Sequence, residues 1–113
     1  MTDCLFCRIA AGAVPASIVY RDDDAIAFHD TNPQAPTHIL VIPVRHIASV
    51  AALAEEDRDL AGHLLLTAAR IAEQAGLQKG YRLVTSIGRQ GGQHVDHLHL
   101  HILGGRQMKW PPG

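Results

Sequence analysis

His97-Leu98-His99-Leu100-His101-Ile102 repeats an imidazole at every second position, with an apolar side chain after each. Imidazole titrates nearest neutrality of the side chains, so it can attack, donate or accept a proton at cellular pH. An extended chain sends alternate side chains to opposite faces. The three histidines then share one face, spaced roughly 6.5–7 Å apart, and the apolar residues share the other as a hydrophobic floor. A helix would scatter them, so the segment Asp96 to Leu103 reads as a strand, ended by Gly104-Gly105. Just upstream, Gly88-Arg89-Gln90-Gly91-Gly92-Gln93-His94 offers glycines whose backbone N–H groups can approach an anion, with Gln93 and His94 as side-chain donors. Phosphate beside an imidazole nucleophile is the chemistry these segments jointly suggest. Metal chelation by alternating histidines, or plain structural packing, stays open on the residues alone.

The elements that must hold this strand are legible in outline. Residues 3–10 alternate in a helix-like way, with Thr2 or Asp3 as cap and Gly12 just beyond. Ile18 to Arg21 and Ala25 to Asp30 read as two strands around the turn Asp22-Asp23-Asp24. Two prolines make Thr31 to Pro36 a loop, and His38 to Ile42 is a β-branched apolar strand that Pro43 ends. From about Glu55 to Ala75, apolar residues at 60, 64, 68, 71 and 75 form a helical stripe, with Gly76 available to close it. Tyr81 to Ser86 is a further strand. Strands and one long helix without regular βαβ alternation predict an α+β fold with a mainly antiparallel sheet.

At 113 residues the chain is expected to be one domain, residues 1–113, and 47% apolar residues supply a single modest core. A net charge of −1 argues against a bulk electrostatic grip on nucleic acid or an anionic membrane, while leaving room for a small anion held by local donors. The opening MTDCLFCRIA has no basic region leading into a long apolar stretch, so the expected location is cytoplasmic, with Cys4 and Cys7 reduced. Four of the eight histidines fall between positions 94 and 101, which singles out the same segment again.

The histidine run resembles the HxHxHxx motif of the histidine triad (HIT) family. Phe28-His29-Asp30, Pro33-Gln34-Ala35-Pro36-Thr37-His38, Pro43 with Arg45-His46-Ile47, Gly80-Tyr81-Arg82, Gly91-Gly92-Gln93 and the tail from Gly104 to Gly113 are similar to the Hint branch of that family, so the resemblance covers essentially the whole chain. It implies a five-stranded antiparallel sheet with one long and one short helix, continued across a homodimer with the long helix at the interface. His99 would attack the α-phosphorus of a nucleotide, forming a nucleotidyl-histidine that water hydrolyses. By the same matching His101 contacts phosphate and assists the leaving group, and His38 helps hold the nucleophile's tautomer. Asp30 would accept the ribose hydroxyls, although alone it reads equally as a solvated turn residue. Leu5, Phe6, Ile9, Phe28 and Leu40 would form the base pocket or simply core. Trp110 would reach toward the partner subunit's site.

Three positions depart from the branch pattern. Ser86 stands where an asparagine is common, His94 where a short hydroxyl residue or an acid is common, and Asp96 where an aromatic precedes the motif. Ser86, Gly92, Gln93 and His94 are the expected phosphate-side contacts. Cys4-Leu5-Phe6-Cys7 alone is weak for zinc, which wants four ligands. The resemblance completes the set with His46 and His97, implying a structural zinc and no cofactor for catalysis. The competing reading is two reduced cysteines in a packed helix, and a dithiol redox motif has no thioredoxin-like context here.

The implied activity is hydrolysis of nucleoside 5′-phosphoramidates or related purine nucleoside monophosphate conjugates (AMP or GMP). Dinucleoside polyphosphate hydrolysis belongs to another branch and is disfavoured by the closing Gly-Gly-Arg-Gln-Met-Lys-Trp tail. A nucleotide-binding or protein-interaction module with residual hydrolysis is the alternative of a different class.

Overall fold

The computed structural model describes residues 3–113. Helix α1 spans Leu5–Ala10 and is capped by Cys4, whose Sγ accepts the Cys7 N–H at 3.4 Å. Asp3 is therefore not the cap, and Thr2 lies outside the described residues. Strands β1 (Ile18–Arg21) and β2 (Ala25–His29) form a hairpin. The turn is set by Asp22, whose Oδ1 accepts the N–H groups of Asp24 and Ala25, an aspartate mimicking a backbone turn.

β3 runs Thr37–Pro43, one residue further at each end than the apolar run suggested. Pro43 is tolerated because a strand's last residue can do without its N–H. Two 3-10 turns follow, Val50–Ala52 and Glu55–Asp57, before helix α2 at Arg58–Gln74. The acidic turn is thus separate from the helix it leads into. Asp57 accepts the Ala54 N–H and pairs with Arg45. Gly76, at φ +83°, closes α2 in a conformation that glycine takes without cost.

β4 (Tyr81–Val84) and β5 (Leu100–Gly104) complete one antiparallel sheet of order β1-β2-β3-β5-β4. The sheet is packed on both faces. α2 buries Leu64, Ala68, Ile71 and Ala72 against Ala27, Ile39, Val41, Leu100 and Ile102. On the other face α1 sets Phe6 and Ile9 against Ile26, Phe28, Leu40 and Ile42. Among the described residues, no helix is long and apolar enough to cross a membrane.

The histidine segment departs from its expected strand. The ladder begins only at Leu100, where Val41 is the first partner on β3. The chain before it turns away, and the Leu98 N–H donates to the Ile47 carbonyl at 2.6 Å. The alternation of faces nevertheless holds: Leu98, Leu100 and Ile102 enter the α2-side core, while the His97 and His99 rings pack against Phe6 and the His101 ring against those of His99 and His38.

Candidate active site

His99 lies just before β5 and is 6% exposed. Its Nδ1 is 2.7 Å from the carbonyl oxygen of His97. A carbonyl can only accept, so Nδ1 carries a proton and, in the neutral ring, Nε2 keeps the lone pair. That is the protonation state a nitrogen nucleophile needs. The His99 carbonyl is held in turn by the Thr85 hydroxyl at 2.9 Å, and the Phe6 ring stands edge-on at 5.1 Å between centroids.

A second chain of contacts fixes His101. The Gln34 N–H donates to His38 Nδ1 at 3.0 Å, which leaves the His38 proton on Nε2. Nε2 donates to His101 Nδ1 at 2.9 Å, so a neutral His101 carries its proton on Nε2, the nitrogen away from His38. His38 therefore orients His101, and the group that sets the tautomer of His99 is the His97 carbonyl, a correction to the role expected for His38. Burial lowers the pKa of His38 against the pull of the Asp30 carboxylate 3.5 Å away. Burial, with help from the His99 and His38 rings, pushes His101 down to about 4. His101 is thus a neutral donor at pH 7.

Asp30 accepts the Asn32 N–H on Oδ1 and turns Oδ2 toward His38. Donor atoms of Asp30, His38 and His101 lie within 4.8 Å of one another. A cation on His38 Nε2 would drive the ring proton to Nδ1, against the Gln34 N–H, so the trio suits a hydrogen-bond relay better than a metal.

The apolar residues divide. Phe6, Ile9, Phe28 and Leu40 are buried in the cluster under α1, whereas Leu5 is 40% exposed. Ser86 follows β4 and is half-buried, and His94 is exposed. Gln93 is not available to an anion as expected. Its Nε2 donates to the Ala48 and Val95 carbonyls at 2.7 and 2.9 Å, and its Oε1 accepts the Gly88 N–H at 2.9 Å. It staples the glycine loop, in which Gly92 sits at φ +84°. Trp110 is 87% exposed on a tail clamped by Arg82, which donates to the Lys109 and Pro112 carbonyls. Thr85 and Gln34 were missed by sequence reasoning. A hydroxyl residue just after β4 was a readable signal, but Gln34 acts through its backbone, which any residue type but proline would supply.

The cysteines form a separate centre. Cys4 Sγ is 3.2 Å from His97 Nδ1, and Cys7 Sγ is 3.3 Å from His46 Nδ1 and 3.5 Å from His97 Nδ1. All four donor atoms lie within 4.8 Å of one another. In a tetrahedron with Zn–S about 2.3 Å and Zn–N about 2.05 Å, sulfur and nitrogen sit about 3.5 Å apart, so the donor set fits zinc in type and spacing. His97 Nε2 donates to the Pro43 carbonyl at 2.8 Å, which aims the Nδ1 lone pair at the cluster.

A sequence model of the HIT domain matches residues 11–108 of the chain. The chain belongs to the HIT family. It is 53% identical to a HIT-like protein of Synechococcus elongatus over 98% of its own length and 97% of the relative's. Its fold is similar to that of a HIT family hydrolase from Legionella pneumophila, with TM-score 0.96, 50% identity, and 98% and 100% of the two chains covered. A histidine triad nucleotide-binding protein from Candida albicans superposes with TM-score 0.83 at 26% identity, covering 96% of this chain and 83% of that one. The HIT-domain match begins after α1, so Cys4 and Cys7 lie outside the matched span.

Proposed function

We propose that this HIT protein hydrolyses nucleoside 5′-phosphoramidates or related purine nucleoside monophosphate conjugates through a nucleotidyl intermediate on His99. The observation that carries the reading is the Nδ1–H bond from His99 to the His97 carbonyl, which frees Nε2 for attack on the α-phosphorus. The P–N bond breaks, and the departing amine is protonated with the assistance of the His101 N–H. Water then cleaves the histidine–phosphorus bond and releases the nucleoside monophosphate. Asp30 accepts the ribose hydroxyls through oxygen lone pairs not used by Asn32. Leu5 and the exposed edge of the Phe6, Ile9, Phe28 and Leu40 cluster take the base, with Ser86, Gly92 and His94 on the phosphate side. The names of the Legionella and Candida neighbours, a hydrolase and a nucleotide-binding protein, support the reaction class.

Cys4, Cys7, His46 and His97 would hold a structural zinc, which offsets the charge of two thiolates and ties α1 to the histidine segment, leaving His99 and His101 free. The partner we propose is a second copy. Leu65 and Leu66 of α2, with Tyr81 and Leu83 of the edge strand β4, are exposed apolar side chains that continuation of the sheet would cover. Trp110 would then approach the partner's site.

The test is turnover of adenosine 5′-phosphoramidate beside the His99→Ala variant. Turnover in the parent that drops at least about 10³-fold in the variant, with AMP binding retained, is expected. A parent that binds AMP and cleaves no conjugate would sink the enzyme reading in favour of a binding module.

A further inference from the structure

The cysteine cluster and the proposed nucleophile are joined through one residue. His97 is fully buried, and its ring is held on both nitrogens, by the two sulfurs at Nδ1 and by the Pro43 carbonyl at Nε2. The same residue's carbonyl accepts the His99 Nδ1–H. Phe6 is a second link. It lies between the cysteines in sequence, and its ring packs edge-on against His97 at 5.9 Å and His99 at 5.1 Å. A movement of the sulfurs therefore reaches both supports of the His99 ring.

We propose that the Cys4–Cys7 pair is a redox-sensitive positioning element for His99. Joined as a disulfide, the sulfurs withdraw from His97 and His46, and the nucleophile loses its orientation. The proposal rests on His99 being the nucleophile. Both cysteines are half-buried, within reach of a small oxidant, and their sulfurs already lie within 4.8 Å of each other. A disulfide needs about 2.05 Å and carries neither S–H nor thiolate, so closing the bond takes from His97 and His46 the sulfur partners that hold their rings.

The oxidant is a hydroperoxide. One thiolate attacks a peroxide oxygen, the O–O bond breaks, and the sulfur becomes a sulfenic acid. The second sulfur attacks the first, the S–S bond forms and water leaves. The thiols lose two protons and two electrons, and hydrogen peroxide ends as two waters. A bound zinc would leave as the hydrated dication while the thiolates give up the same two electrons.

The experiment treats the purified full chain with hydrogen peroxide and follows four readouts: intact mass, released zinc, the His99 Nδ1–H resonance, and turnover of adenosine 5′-phosphoramidate. The expected result is a mass lower by two hydrogens and a shifted or exchange-broadened Nδ1–H signal. With these, kcat falls at least about tenfold, by a larger factor than AMP affinity, and a dithiol reductant reverses all of it. A Cys4→Ser/Cys7→Ser variant should show no further loss on the same treatment. Absence of the disulfide, or a disulfide that leaves the Nδ1–H signal unmoved, overturns the proposal, as does an equal peroxide-dependent loss in the double variant. The resonance is read without turnover. A parent that never cleaves the conjugate counts against the proposed hydrolase and leaves the coupling to be decided by the signal.

Discussion

One hydroxyl, that of Thr85, holds the backbone of the proposed nucleophile in place through the His99 carbonyl. Thr85→Val keeps the shape and removes the donor. Stability should fall by about 1 kcal/mol in a circular-dichroism melt. kcat should fall about fivefold with KM little changed, since the loss lies in orientation and not in binding. The buried histidines give a pH dependence with a definite sign. His101 titrates at about 4 when folded against 6.5 unfolded, so between those values the unfolded chain binds more protons. Stability is complete above about pH 6.5 and is lost progressively down to about pH 4, by about 3 kcal/mol at most for this group and less once solvent screening of the half-buried ring is allowed for. His38, lowered in the same direction, adds to the loss. A urea midpoint that stayed flat from pH 7 to pH 4.5 would contradict this. The histidines were legible because alternation alone gathers them on one face. Gln93 was misread because an amide beside glycines serves an anion and a loop staple equally well, and only the positions of the Ala48 and Val95 carbonyls decide.

At the scale of elements, alternation reports which way a side chain faces, and it is silent on where hydrogen-bonded pairing begins. That is why the strand expected from Asp96 starts at Leu100. The residues just before the ladder keep the same in-and-out order through a bend at 95–97, while the Leu98 N–H is spent on Ile47. The long helix was visible in its stripe, and its buried side ends at Ala72, leaving Ala75 exposed as the cap residue. Within that stripe the Thr67 hydroxyl is buried with no hydrogen-bond partner among the described residues. Thr67→Val, nearly equal in volume, removes the uncompensated group and should stabilise by about 1 kcal/mol, seen as a raised melting temperature. The glycine loop is less forgiving. A Cβ at Gly91 would lie 2.3 Å from the Ile87 carbonyl oxygen, which is backbone and cannot step aside cheaply. Gly91→Ala should therefore displace the loop and raise KM for the conjugate more than it lowers the melting temperature.

For the whole molecule, the antiparallel α+β class followed from counting elements, but the strand order did not. Placing β5 between β3 and β4 depends on long-range pairing that no local pattern encodes. The exposed leucines of α2 were likewise hidden in a helix whose stripe announced only its buried side. Leu66, 57% exposed, tests the proposed dimer: Leu66→Glu should shift sedimentation from dimer to monomer and leave the circular-dichroism spectrum unchanged. A parent that sediments as a monomer at high concentration would end that part of the proposal. The clamped tail has an optical consequence. Trp110 is the only tryptophan in the chain and stands in water on the single chain, so a monomer such as the Leu66→Glu variant is expected to emit as a solvent-relaxed indole before any denaturant is added. Unfolding that monomer will barely move its wavelength. A blue shift in this protein therefore reports something landing on the tail, and the fluorophore that is commonly a gauge of folding serves here as a gauge of contact.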